Sequence, residues 1–184
     1  MKSESDAVEF LNSLLPLDRS EVTDFIFPFD TPAWRKEYMK SNVSTCAITS
    51  MAYFRFLGLT DPELVKPYQK QMGMAVANIV TVSRRHKAWL TGSDLLSFPE
   101  VGDIVLIGSG GSEHVTNIVS IDAATGILGG VDGGQSNSST IAFRERIMVT
   151  WNGLGYLVDP TTPYKNNVPN GRVISGRFSF KKLT

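Results

Sequence analysis

One thiol, two imidazoles and a glycine-flanked carboxylate set the chemistry this chain can offer. Cys46 is its only cysteine, and His86 and His114 are its only histidines. A thiol becomes a strong nucleophile as a thiolate, a form favoured by a helix N-terminus or a nearby imidazolium. Cys46 stands in S-T-C-A-I-T-S-M-A-Y-F-R-F-L-G, where Ser44 or Thr45 can cap a helix over about 46–57 and Gly58 can stop it. His114 follows a glycine-rich turn, 108–112, and opens a run of alternating apolar residues. It lies 68 residues beyond Cys46 (114 − 46), so the two meet only through tertiary folding. Asp132 comes 18 residues later (132 − 114) on the next expected strand. A hairpin about D-A-A-T-G sets His114 and Asp132 on adjacent strands, provided one face holds both. A nucleophile, a base and a group that orients the base make an acyl-transfer site. Gln135 is an alternative third member. Singly, each residue has a plainer role: a small core residue, a structural histidine, a turn former before Gly133-Gly134.

The elements that must position these residues fall into two halves. Val8, Leu11, Leu14 and Leu15 have helical spacing over 5–15, closed by Pro16. The stretch F-I-F-P-F-D-T-P-A-W is irregular and reads as an arm against the body of the domain. Asp61-Pro62-Glu63 starts another helix, and 63–90 is expected to be mostly helical with a break near Gly73. After Gly92 strands take over: 103–107, then E-H-V-T-N-I-V-S-I-D, I-L-G-G-V-D-G-G, 139–143, 155–159 and 172–180. Helices followed by an antiparallel meander predict an α+β domain. The expected organisation is an N-terminal helix and aromatic, proline-rich arm over 1–40, then a catalytic domain over 41–184.

The run P-E-V-G-D-I-V-L-I-G-S-G-G-S-E-H-V-T-N-I-V-S-I-D resembles the histidine-bearing hairpin of the NlpC/P60 and CHAP cysteine peptidases. The resemblance covers 40–180 in outline, and 99–122 is its specific part. Thr45-Cys46 stands where NlpC/P60 has Asp-Cys, and Thr116-Asn117 where a glycine often follows His-Val. The resemblance implies a papain-like core, a helix with Cys46 at its start packed on an antiparallel sheet. It implies hydrolysis of amide bonds in peptidoglycan, with Cys46 as nucleophile, His114 as base and Asp132 orienting the imidazole. The oxyanion would be met by helix-start N–H groups, including that of Cys46, and no cofactor or metal is required. A cell-wall lysin or an antibacterial effector fits, with a cognate inhibitor or immunity protein as a partner. The alternatives are a cysteine deamidase, acyltransferase or protease acting on a protein or lipid, and an inactive binding module.

Composition removes several other classes. Lys+Arg and Asp+Glu are both 18, which argues against a general nucleic-acid surface. One cysteine excludes an intramolecular disulfide and a cysteine-pair metal site, and two histidines make a poor zinc site. No window has the length of a membrane span, and the N-terminus lacks the apolar core of a secretory signal. Synthesis in the cytoplasm is expected, with action in the periplasm or outside the cell after lysis or dedicated export. Nothing demands more than a monomer. S-R-R-H-K, 83–87, reads as a solvated helix face before an anion site. Gly108–Ser112, G-S-G-G-S, lacks the Lys-Ser/Thr ending of a phosphate loop and reads as a rim beside His114. Trp34, Trp89 and Trp151 are more readily core residues than a substrate groove.

Overall fold

The computed structural model describes residues 2–26, 44–65, 76–110, 113–134 and 140–183. The aromatic, proline-rich stretch 27–40, including Trp34, lies outside the described residues, as does Gln135. Five helices occur among the described residues: α1 Glu4–Ser13, α2 Arg19–Ile26, α3 Thr45–Phe56, α4 Pro62–Val65 and α5 Val76–Arg85. The strands are β1 Trp89–Leu90, β2 Ile104–Ile107, β3 His114–Asp122, β4 Ile127–Gly133, β5 Ile141–Trp151, β6 Leu154–Val158, β7 Tyr164–Lys165, β8 Val168–Pro169 and β9 Gly171–Phe178.

Local chemistry accounts for the helix ends. Ser3 and Asp6 form a reciprocal capping box at α1. Asp18 accepts from the Ser20 and Glu21 amides ahead of α2, and Glu21 accepts in return from the Asp18 amide. Helix α3 is apolar nearly all round and buried from Thr45 to Phe54, as a helix covered on every side must be. Gly58 follows it with φ +87°, a left-handed stop that glycine adopts without strain.

The sheet corrects the expected architecture. In place of an α+β papain-like core, with helices on an open sheet, six antiparallel strands close into a barrel. The order is β9-β2-β3-β4-β5-β6, and β6 pairs back with β9. Closure comes from β9, which serves both edges of the meander. Its first residues pair with β6, Val158 opposite Gly171, and its later ones pair with β2, Ile104 opposite Phe178. A register shift at Leu106/Ile107 accommodates the double pairing. Strand β5 is also longer than the expected 139–143 and runs to Trp151, long enough to pair fully with both β4 and β6. A closed barrel leaves no open edge for stray pairing.

Side chains alternate across the barrel wall. Val105, Ile118, Leu128, Leu157 and Ile174 fill the interior. Ile104, Leu106, Val115, Val119 and Val131 face out and pack with Ile48, Met51 and Phe54 of α3 and Leu11 of α1. Phe54 and Phe178 meet edge to face, centroids 4.8 Å apart. Two polar ties fix α3 on the wall. Ser50 Oγ donates to Asn117 Oδ1 (2.9 Å), and Asn117 Nδ2 donates to the Val131 carbonyl (2.8 Å). Tyr53 donates to the Gly102 carbonyl (3.1 Å). In the P-E-V-G-D turn, Asp103 accepts from the backbone of Glu100 and of Phe180, so this motif joins the start of β2 to the C-terminal turn.

Candidate active site

Antiparallel pairing puts one set of strand ends at the same mouth of the barrel. Ile107 ends β2 opposite His114, which begins β3. Asp132, near the end of β4, faces Ala142 near the start of β5. The end of β6 and the start of β9 complete the ring, Val158 opposite Gly171. His114 and Asp132, 18 residues apart, therefore arrive on neighbouring strands.

The first turn of α3 reaches this mouth. Gly133 permits the approach: a Cβ there would run into the Thr45 side chain, so β4 can lie this close to α3 only without one. Cys46 stands in that first turn, 2% exposed. The first intrahelical bond is donated by Ile48 to Ser44, so the preceding amides, Cys46 included, have no acceptor within the helix. Ser44 occupies the N-cap position without capping the backbone. Its Oγ lies instead 2.6 Å from Cys46 Sγ.

His114 Nε2 lies 2.7 Å from Asp132 Oδ2. The carboxylate accepts there, which leaves Nδ1 as the ring nitrogen for the neighbouring Cys46 thiol, near enough for the two groups to shift one another's pKa. Burial pushes the Cys46 thiol up, but hydrogen bonds from His114, Ser44 and the Val115 amide, with the imidazolium charge, hold it below its ordinary value. Burial likewise opposes charge on His114, yet Asp132 and Cys46 together hold its pKa above the ordinary imidazole value. Both shifts favour a thiolate–imidazolium pair.

Asp132 is fully buried and has further partners on β5. Arg146 Nη2 donates to Oδ2 at 2.7 Å, while Arg144 Nε stands 3.6 Å from Oδ1. Neither Asp132 Oδ1 nor Arg144 Nε has a hydrogen-bond partner. Arg146 also reaches Thr116 Oγ1 (3.3 Å), in space that a Cβ on Gly130 would take. The two arginines were not among the expected site residues. The alternation in R-E-R, 144–146, is the signal for them, and it becomes readable once β5 is known to extend past Phe143.

The structure thus brings Cys46, His114 and Asp132 together at one mouth of the barrel, with His114 bonded to Asp132 and close enough to Cys46 for each to shift the other's pKa. The other candidates lie elsewhere. Arg85 and His86 of the basic cluster are bound to Asp61 and Glu63. Trp151 packs on Tyr156 at the other end of β5 (centroids 6.3 Å apart), and Trp89 pairs with the far end of β9. Among the described residues no group of three or more His, Cys, Asp or Glu side chains could hold a metal, and no helix is long and apolar enough to cross a membrane.

No family model, curated protein or solved structure matches the chain. The arrangement of Cys46, His114 and Asp132 is the ground on which function can be argued.

Proposed function

We propose that the chain is a cysteine hydrolase that cleaves amide bonds through an acyl-enzyme on Cys46. The observation that carries this reading is the chain Cys46–His114–Asp132, assembled from a helix start and two strands and buried on the barrel mouth. His114 Nδ1 takes the thiol proton, and the thiolate attacks the carbonyl carbon. The tetrahedral oxyanion is met by amides of the first turn of α3, that of Cys46 among them. The imidazolium returns the proton to the leaving amine, the C–N bond breaks, and water activated by His114 releases the acyl group. Asp132 keeps Nε2 protonated and the ring aimed at the thiol.

Peptidoglycan stem peptides and the muramoyl–alanine link are the first substrates to test, because the run 99–122 resembles cell-wall peptidases. Purified protein is incubated with sacculi beside Cys46→Ala, and released fragments are weighed by mass spectrometry. New stem-peptide fragments or freed muramoyl ends, absent with the variant, are the expected result. No release by a protein whose thiol reacts normally moves the substrate to a protein or lipid acyl group. No release together with an unreactive thiol contradicts the hydrolase reading itself.

A further inference from the structure

Two donors converge on one oxygen of Asp132. His114 Nε2 lies 2.7 Å from Oδ2, and Arg146 Nη2 donates to the same atom at 2.7 Å, while Oδ1 has no hydrogen-bond partner. The strands carry Arg146 to that oxygen. In the β4–β5 register Arg146 stands opposite Leu128, whereas Asp132 stands opposite Ala142. The guanidinium therefore runs back along the wall past Gly130, where a Cβ would press on Thr116 Oγ1 and come within 3.4 Å of Arg146 Nη1. Nη1 donates to Thr116 Oγ1 at 3.3 Å. Thr116 is fully buried, two residues from His114 and on the same face of β3. The fork of Arg146 thus joins the strand that carries the base to the carboxylate that orients it.

The Arg146 side chain is 13% exposed and that of Asp132 fully buried, so solvent screens their contact little. Among the described residues, the other titratable or charged groups around the imidazole are Cys46 from α3 and Arg144 from β5, whose Nε is 3.6 Å from Asp132 Oδ1. Strand β2 places the apolar Ile107 opposite His114. Glu113, next to His114 in the chain, is exposed, and so is Glu145, whose side chain leaves the other face of β5. A carboxylate oxygen shared with a guanidinium has less negative charge to offer an imidazolium. A carboxylate bound to the imidazole alone would hold the ring proton more firmly, to the detriment of its return to a leaving amine.

We propose that Arg146 is a positioning residue of the Cys46 centre: seated on Thr116, it fixes Asp132 from β5 and, by sharing Oδ2, limits how firmly the carboxylate holds the imidazolium proton. The inference rests on the hydrolase reading, in which His114 must both take a proton and return it.

The test follows the His114 ring signals by NMR against pH in the native chain, Arg146→Gln, Arg146→Lys and Cys46→Ala, with His114→Gln to assign them. In Arg146→Gln the midpoint is expected to move above the native one, because the imidazolium then has Oδ2 to itself. A residue that merely held Asp132 in place would give the opposite sign, since a loosened carboxylate lets the midpoint fall. Arg146→Lys keeps the charge and is expected to bring the midpoint back toward the native value. A midpoint that falls or stays in Arg146→Gln overturns the proposal. The native chain gives a second reading that needs no variant to fold. The guanidinium nitrogen-15 signals of Arg146 are expected to step at the His114 midpoint, and signals with no step there overturn the proposal equally. Cys46→Ala separates the two layers, because loss of the thiolate is expected to lower the His114 midpoint. A midpoint unmoved by Cys46→Ala removes the thiol–imidazole pair, and with it the hydrolase reading and this role for Arg146. Failure of the arginine measurements alone leaves that pair intact.

Discussion

The chain contains two histidine–aspartate pairs, and their local geometry is nearly the same. His114 Nε2 lies 2.7 Å from Asp132 Oδ2, and His86 Nε2 lies 2.8 Å from Asp61 Oδ2. Each aspartate also binds arginine: Arg146 for Asp132, and Arg85 for Asp61. The difference is in what surrounds the imidazole. The His86 side chain is 32% exposed, at the end of α5, and Arg85 also grips Glu63 through two bonds of 2.8 Å. The His114 side chain is 5% exposed and has a thiol on its other side. A buried imidazole between a carboxylate and a thiol has a proton to move. The His86 ring, with a carboxylate on one side only, holds α5 to the start of α4. A His–Asp hydrogen bond is thus no signature of catalysis without a reacting group at the second ring nitrogen.

Substitution of the two histidines sharpens that contrast most. His114→Ala is expected to reduce thiol-dependent turnover by about 10²–10⁴-fold, the usual worth of a positioned acid–base. His86→Ala is expected to leave turnover within about twofold. Steady-state rates on the substrate found with sacculi decide it, and equal losses from the two variants would break the comparison.

The aspartates should differ next in stability. Asp132→Asn leaves Arg146 and Arg144 facing a neutral amide in a buried site, at an expected cost of about 3–5 kcal/mol. Asp61→Asn faces an arginine that is 45% exposed, so about 1 kcal/mol is expected. Urea unfolding of both variants measures the difference. A smaller effect is expected at the tie between α3 and the wall. Asn117→Ala removes the acceptor of Ser50 and the donor to Val131, for about 1–3 kcal/mol in the same assay.

The pH dependence of stability follows from the two shifted groups. His114 has a raised folded pKa, so its contribution is complete below the ordinary value of 6.5 and fades as pH rises through the folded value. Cys46 has a lowered folded pKa, so its contribution is present above 9.0 and fades as pH falls through the folded value. The pair's stabilisation is therefore lost toward acid as the thiolate is protonated, and toward alkali as the imidazolium is deprotonated. Melting curves across pH should show that profile for the native chain and lose it in Cys46→Ala. The smallest effect is expected from Ser44→Ala, a few-fold slowing of alkylation near neutral pH, since Ser44 is one of several groups that lower the thiol pKa.

How much of this was legible in the sequence depends on the range of the determining contact. Local rules placed the start of α3 and its stop at Gly58, and they placed His114 at the head of a strand and Asp132 on the next. Those features rest on caps, turns and alternation within about 20 residues. Barrel closure was not legible, because it depends on β9 pairing with both β2 and β6, and residue alternation in β9 reads the same for one partner as for two. The arginines on Asp132 were missed because the far half of β5 lacks a clean apolar–polar alternation, and only the pairing with β4 and β6 defines it. Ser44 or Thr45 is a fitting helix cap by residue type, and Ser44 does take the N-cap position, yet its hydroxyl goes to the thiol two residues on instead of the backbone.

The most direct test of the central claim is the rate of Cys46 alkylation by iodoacetamide from pH 4 to 9, in the native chain and in His114→Gln. The account requires a reactive thiolate well below the ordinary thiol pKa, and a shift of the profile back toward that of a free thiol when His114 is replaced. A native profile that rises only near pH 9, or one that His114→Gln leaves unchanged, would contradict it and return Cys46 to the role of a buried core residue.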